Sequence, residues 1–125
     1  MTSDELMQRF DAGTLDPEAF THRDHGLVAW TALQEAEFFE ASARVARGLR
    51  ALALSAGVPE KFNATVTHVF LSQIAERRLQ SVLPDAEAFL DANPDVLSGE
   101  RLQALYGKDR LGCAAAKSVA ILPNR

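Results

Sequence analysis

From Thr21 to Val82 the apolar residues recur at three- and four-residue intervals, and no segment of the chain holds the period-two alternation of a half-buried strand. That spacing commits the chain to helices, and Gly, Pro and Asp/Asn signals divide it. Ser3 is placed to cap a first helix over 4–12, with Asp4 and Glu5 in the turn where the helix dipole favours acids. Gly13 ends it, and Pro17 begins a short helical piece in "LDPEAF". Thr21 opens a second helix to residue 35, with a bend at Gln34–Glu37. A third helix runs to Ala56, where Gly57 looks like its C-cap and Pro59 the stop. The fourth is expected from Lys61 to Val82, ended by Pro84. "PDAEAFL", "SGERLQALYG" and "KDRLGCAAAKSV" each predict one short helix before the tail "AILPNR".

With 125 residues, no repeats and only short candidate loops, the chain predicts a single domain over 1–125. The fold class is all-α, an irregular single-domain helical bundle with short C-terminal helices. The third and fourth helices are expected at its centre. Phe38, Val45, Leu49 and Leu52 share one face of the third, which its alanines and Gly48 keep thin. Apolar residues from Phe62 to Val82 spread round the fourth, the mark of a buried helix.

A net charge of -4 disfavours phosphate backbones, so no nucleic-acid partner is expected. No apolar run is long enough for a membrane span, and "MTSDELMQRF" lacks the apolar stretch of a signal peptide. A lone cysteine, Cys113, allows no intrachain disulfide. These features fit a cytoplasmic protein with no membrane partner. Cys113 itself reads as packing within a small-residue helix, and Arg44, Arg47 and Arg50 as a solvated face with Glu40 paired to Arg44.

The densest chemistry lies in "FTHRDH", Phe20 to His25. Its "HRD" matches a kinase catalytic loop, but the chain is too short for a kinase and has no "DFG". Thr21 with Asp24 forms a capping-box pattern. His22 shares the apolar face of the second helix with Gly26, Ala29, Trp30 and Leu33, and His25 lies on its flank. Both imidazoles should lean inward. They serve either as structural groups bonded to nearby carbonyls, or as a catalytic base, or as metal ligands one turn apart. A positive helix N-terminus with Arg23 beside it favours the neutral rings.

Further ligands are sought in "KFNATVTHVF". Asn63 and Thr67 lie on one face that continues to Phe70 and Ile74, and a polar pair on a buried helix needs partners. His68 is about 140° round the axis from Asn63 and reads as a surface histidine. The absence of a Glu-x-x-His pair argues against a di-iron bundle.

Three stretches together resemble a family of small uncharacterised bacterial proteins. "FTHRDHGLVAW" is similar to its F-[ST]-H-x-[DE]-H-L-x-[VL]-A-W motif. "GVPEKFNATVT" is similar to G-[VI]-P-x-K-[YF]-H-x-T-x-T, and "RLGCAAAKSVAILPNR" to R-L…[FV]-[VI]-L-P-[DN]-R. The matching positions are His22, His25, Trp30, Lys61, Thr65 and Thr67. The resemblance implies a compact helical protein and carries no activity over. Asn63 stands where the family pattern has histidine, so a three-histidine metal site would here lack a ligand; at most weak divalent-metal binding is expected. Gly26 replaces the usual leucine, which would open space beside His22.

The expected function is binding of a small molecule or metal in an internal polar pocket. His22 and His25 are the candidate bases and metal ligands. Asn63 and Thr67 would complete its polar lining, and Trp30 and Phe70 its apolar wall. The competing expectation is a non-catalytic interaction protein whose His/Asn cluster fixes helix packing. The two differ on whether His22 or His25 comes within direct or one-water reach of Asn63 or Thr67.

Overall fold

The computed structural model describes residues 1–123, and among these there are helices, turns and bends but no strand. Helix α1 (Ser3–Ala12) is followed by three long helices, α2 (His22–Glu35), α3 (Phe38–Ser55) and α4 (Ala64–Gln80). Four short ones then close the structure: α5 (Ala86–Ala92), α6 (Gly99–Tyr106), α7 (Lys108–Leu111) and α8 (Ala114–Ser118). Single 3-10 turns at Pro17–Ala19 and Pro59–Lys61 lead into α2 and α4. No helix of the described residues is long and apolar enough to cross a membrane.

The caps explain the boundaries. Thr2 rather than Ser3 caps α1, accepting from the Glu5 N–H at 3.1 Å, and Gly13 closes it in the left-handed region at φ 71°. Thr21 and Asp24 form the full capping box of α2. The bend expected after α2 is a complete break. Ala36 leaves the helical region, and the Glu37 carboxylate accepts from the Phe39 and Glu40 N–H groups to start α3. Helix α4 begins at Ala64 rather than Lys61. Pro59 sets up a 3-10 turn, Phe62 and Asn63 are extended, and the Asn63 amide oxygen accepts from Val66 N–H at 3.0 Å. It ends at Gln80, before Val82. The segment "KDRLGCAAAKSV" makes two helices, not one. Cys113 is extended between them and half-buried, as the N-cap of α8 and not within a helix.

The centre of the bundle is α2, not the expected α3–α4 pair. Every residue from Gly26 to Trp30 is buried, and α2 touches α1, α3, α4 and α5. A helix buried on all sides takes its stability from packing, each large side chain contributing about 1.5–3 kcal/mol. Gly26 opens no gap beside His22: a Cβ there would lie 2.8 Å from Leu90 Cδ2, because Leu90 and Leu97 occupy the space. Helix α3 is thin where α1 crosses it, and a Cβ on Gly48 would come within 2.1 Å of the Phe10 ring. Within α4 only Thr65, Leu71 and Ile74 are buried, and Leu79 and Val82 are 89% and 98% exposed.

Helices α2 and α3 are antiparallel across a two-residue link. Helix α4 runs in the direction of α2: Phe70 meets His22 edge-on at 6.4 Å, and Arg78 donates to the Leu33 carbonyl at 3.1 Å. The first turns of α2 and α4 therefore lie at the same end as the last turns of α3, where Arg50 sits 4.8 Å over the Phe62 ring.

Arg44 does not belong to a solvated face paired with Glu40. Its half-buried guanidinium bridges Asp11 at 2.7 Å and Glu35 at 2.7 Å, tying α1 and α2 to α3. At the other end, the fully buried Thr65 hydroxyl lies 2.9 Å from both the Ala116 and Val119 carbonyls and accepts from Ile121 N–H at 3.1 Å. Tyr106 donates to the Ile121 carbonyl at 3.0 Å, and Arg110 to that of Leu122 at 2.7 Å. The C-terminal segment is thus fastened to α4 and α6 through polar groups. Asn124 and Arg125, the last letters of the third motif, lie outside the described residues.

Two substitutions test this architecture. Gly48→Ala should destabilise the fold by about 1–3 kcal/mol in urea unfolding, despite alanine's helix propensity, and Phe10→Leu should restore part of the loss. Thr65→Val keeps the shape and removes the hydroxyl that three backbone groups share; a loss of about 1–3 kcal/mol is expected in the same measurement.

Candidate functional site

A cavity of about 470 Å³ lies between the first turns of α2, the second half of α3 and the first half of α4. The Pro17–Phe20 segment and Leu97 complete its wall. Its size falls within the roughly 300–1,000 Å³ of small-molecule sites. Small residues make the room: Ala29 on α2, Ala53 on α3 and Ala56 at its C-cap leave space that Leu49, Leu52, Phe70 and Ile74 line without filling. The polar lining consists of His22, His25, Lys61, Asn63 and Thr67, so four of the expected site residues come to one cavity, joined by Phe70.

Trp30 does not. It is buried on the other side of α2, with the Arg78 guanidinium 5.3 Å over its ring, and it forms no part of the cavity wall. One helix position separates it from the lining residue Ala29, which turns it about 100° away.

No hydrogen bond links an imidazole to Asn63 or Thr67 among the described residues. His22 sits exposed at the mouth, and its Nε2 is 2.9 Å from the Leu97 carbonyl. Since a carbonyl only accepts, Nε2 carries the proton. Asn63 is engaged at both ends: its oxygen caps α4, and its amide NH₂ donates to the Leu111 carbonyl at 2.7 Å. The Thr67 hydroxyl donates to the Asn63 carbonyl at 2.9 Å, leaving only lone pairs for the cavity.

His25 is different. Its ring packs 4.8 Å from Phe20, the residue preceding the N-cap, in the place of a hydrophobic staple. Its ring nitrogens have no hydrogen-bond partner among the described residues. Burial lowers its pKa below 6.5, the nearby His22 ring lowers it further, and Asp24 acts weakly the other way. The ring is therefore neutral at pH 7, one nitrogen a donor and the other an acceptor. Arg23 turns outward to Glu87 and Asp91, at 2.5 and 3.1 Å, beside a second, more open groove on the far side of His22.

His22 and His25 ring centroids are 6.0 Å apart, but among the described residues no group of three His, Cys, Asp or Glu side chains is placed to hold a metal ion. His68 is exposed and packs by its edge against Phe38, away from the cavity. Several lining residues were not singled out from sequence as site residues. Phe20 carried a signal, as the apolar residue before a capping box; Leu97, from a turn far along the chain, carried none.

No protein-family model, curated protein or solved structure matches this chain.

The His25 environment predicts a pH step in stability. The unfolded chain takes up the proton more readily, so the folded state is fully stabilised above pH 6.5. Stability should fall as the pH drops from 6.5 through the lowered folded value, then level off. Urea titrations between pH 7.5 and 5 should show this step, and His25→Phe should remove it.

Proposed function

We propose that this chain is a cytoplasmic bacterial protein that binds a small, mainly apolar molecule in the cavity among α2, α3 and α4. The observation that carries the reading is His25: a neutral imidazole facing an apolar cavity with neither ring nitrogen bonded to the described chain. The ring is half-buried and open to the cavity, so its free nitrogens are accessible to a molecule that enters a space of ligand size. The same ring is the candidate general base, since a neutral imidazole accepts a proton at pH 7. Phe20 fixes its plane and His22 stands at the mouth. A metal-based reading is weaker. It has two imidazoles to draw on, and Nε2 of one is already engaged with Leu97.

A second reading has its own support. His22 and Asn63 are bonded to backbone carbonyls of remote segments, Leu97 and Leu111, as structural groups would be. On that reading the cluster fixes helix packing, and the chain acts through its surface as an interaction protein.

A fragment library of small aromatic and aliphatic compounds, titrated into ¹⁵N-labelled protein, separates the two. Hits should shift amides around His25, Leu49 and Phe70. Leu52→Trp, which fills the cavity, should abolish the shifts without lowering the melting temperature. His25→Ala should weaken the best hits about tenfold, the value of one hydrogen bond in a sheltered site. Shifts that cluster elsewhere, or that survive Leu52→Trp, favour the interaction protein.

A further inference from the structure

We infer that the cavity selects amphiphilic monoanions, a carboxylate on an apolar body, with the carboxylate between His25 and Lys61. The inference rests on the cavity being a ligand site and adds the sign of the ligand's charge.

Of the lining side chains only one bears a full charge, Lys61, and no Asp or Glu lines the cavity. Lys61 makes no ion pair with a described residue. Lys61 is the exposed last residue of the 3-10 turn that precedes α4. The donors count the same way. His22 Nε2–H, the Asn63 amide and the Thr67 hydroxyl all donate to backbone carbonyls. The free side-chain donors are the His25 ring N–H, the Lys61 ammonium and the second hydrogen of the Asn63 amide, and a carboxylate accepts from the first two. An amine would meet a cation and no acid. The rest of the wall, from Leu49 and Leu52 to Phe70 and Ile74, suits a hydrocarbon chain or an aromatic ring.

The chain's net charge of -4 opposes anions at long range, but that field is screened beyond about 8 Å at physiological ionic strength. Inside the cavity the local cation decides.

Calorimetric titration with octanoate, octanol and octylamine tests the inference, with the amide shifts of labelled protein locating each probe. Octanoate should bind about fivefold or more tightly than octanol, and octylamine most weakly. Lys61→Met, an exposed change that leaves the core intact, should bring octanoate to the level of octanol in the same variant. Equal binding of octanoate and octanol to the unaltered protein overturns the charge selection while leaving the cavity as a ligand site. So does preference for octylamine, or an octanoate preference that persists in Lys61→Met. Absence of binding by all three probes at millimolar concentration overturns both the selection and the ligand site for aliphatic molecules of this size.

Discussion

The run Gly26–Trp30 admits no solvated stripe, and the rest of the bundle follows from covering it. Five consecutive buried residues present apolar surface through more than a full turn, so no single partner helix suffices. Helices α1, α3, α4 and α5 each take a sector. Close approach is possible because the small residues fall where helices cross: Gly26 under Leu90, Gly48 under Phe10, and Ala32 and Ala41 fully buried. Arg44 and Arg78 then tie α3 and α4 to the C-terminal part of α2 from two sides.

Surrounding one helix with four leaves an imperfect fit at its N-terminal end. There α2 offers only its first two turns, α4 extends past it, and the Pro17–Phe20 turn lies across the opening. The resulting cavity is mostly apolar because it lies between faces that would otherwise be core. Its polar groups divide into two kinds. His22, Asn63 and Thr67 satisfy backbone carbonyls, which holds the loops around Leu97 and Leu111 to the helix starts. His25 and Lys61 have no such duty.

The sequence made the helices legible because caps and breakers act locally. Thr21 with Asp24, Gly13 and Pro17 could be read within four residues of their own position. It also placed His22, His25, Asn63, Thr67 and Phe70 at one site, since two helix starts with inward polar faces favour a common opening. What failed was non-local. The centrality of α2 depends on how many helices find a face, which periodicity in one helix does not reveal. Arg44 looked solvated because its partners, Asp11 and Glu35, lie on other helices. Trp30 reads from the sequence as a core anchor that could also wall the pocket; it is a core residue beneath Arg78, and helical rotation keeps it out of the wall. The start of α4 was misplaced by three residues because Pro59 suits a 3-10 turn as well as an α-helix.

The Thr65 junction has a consequence for how the molecule breathes. The segment from Val119 to Leu122 is attached by one hydroxyl, one phenol and one guanidinium; Val119 and Leu122 remain largely in solvent and Ile121 is half-buried. Such a segment has little apolar burial to lose on release. It can detach as a unit while the α1–α5 core stays closed, with exchange of the Ile121 amide faster than that of α2 amides and set by local opening. The C-terminal segment is thus held in register by direction-specific bonds more than by apolar burial.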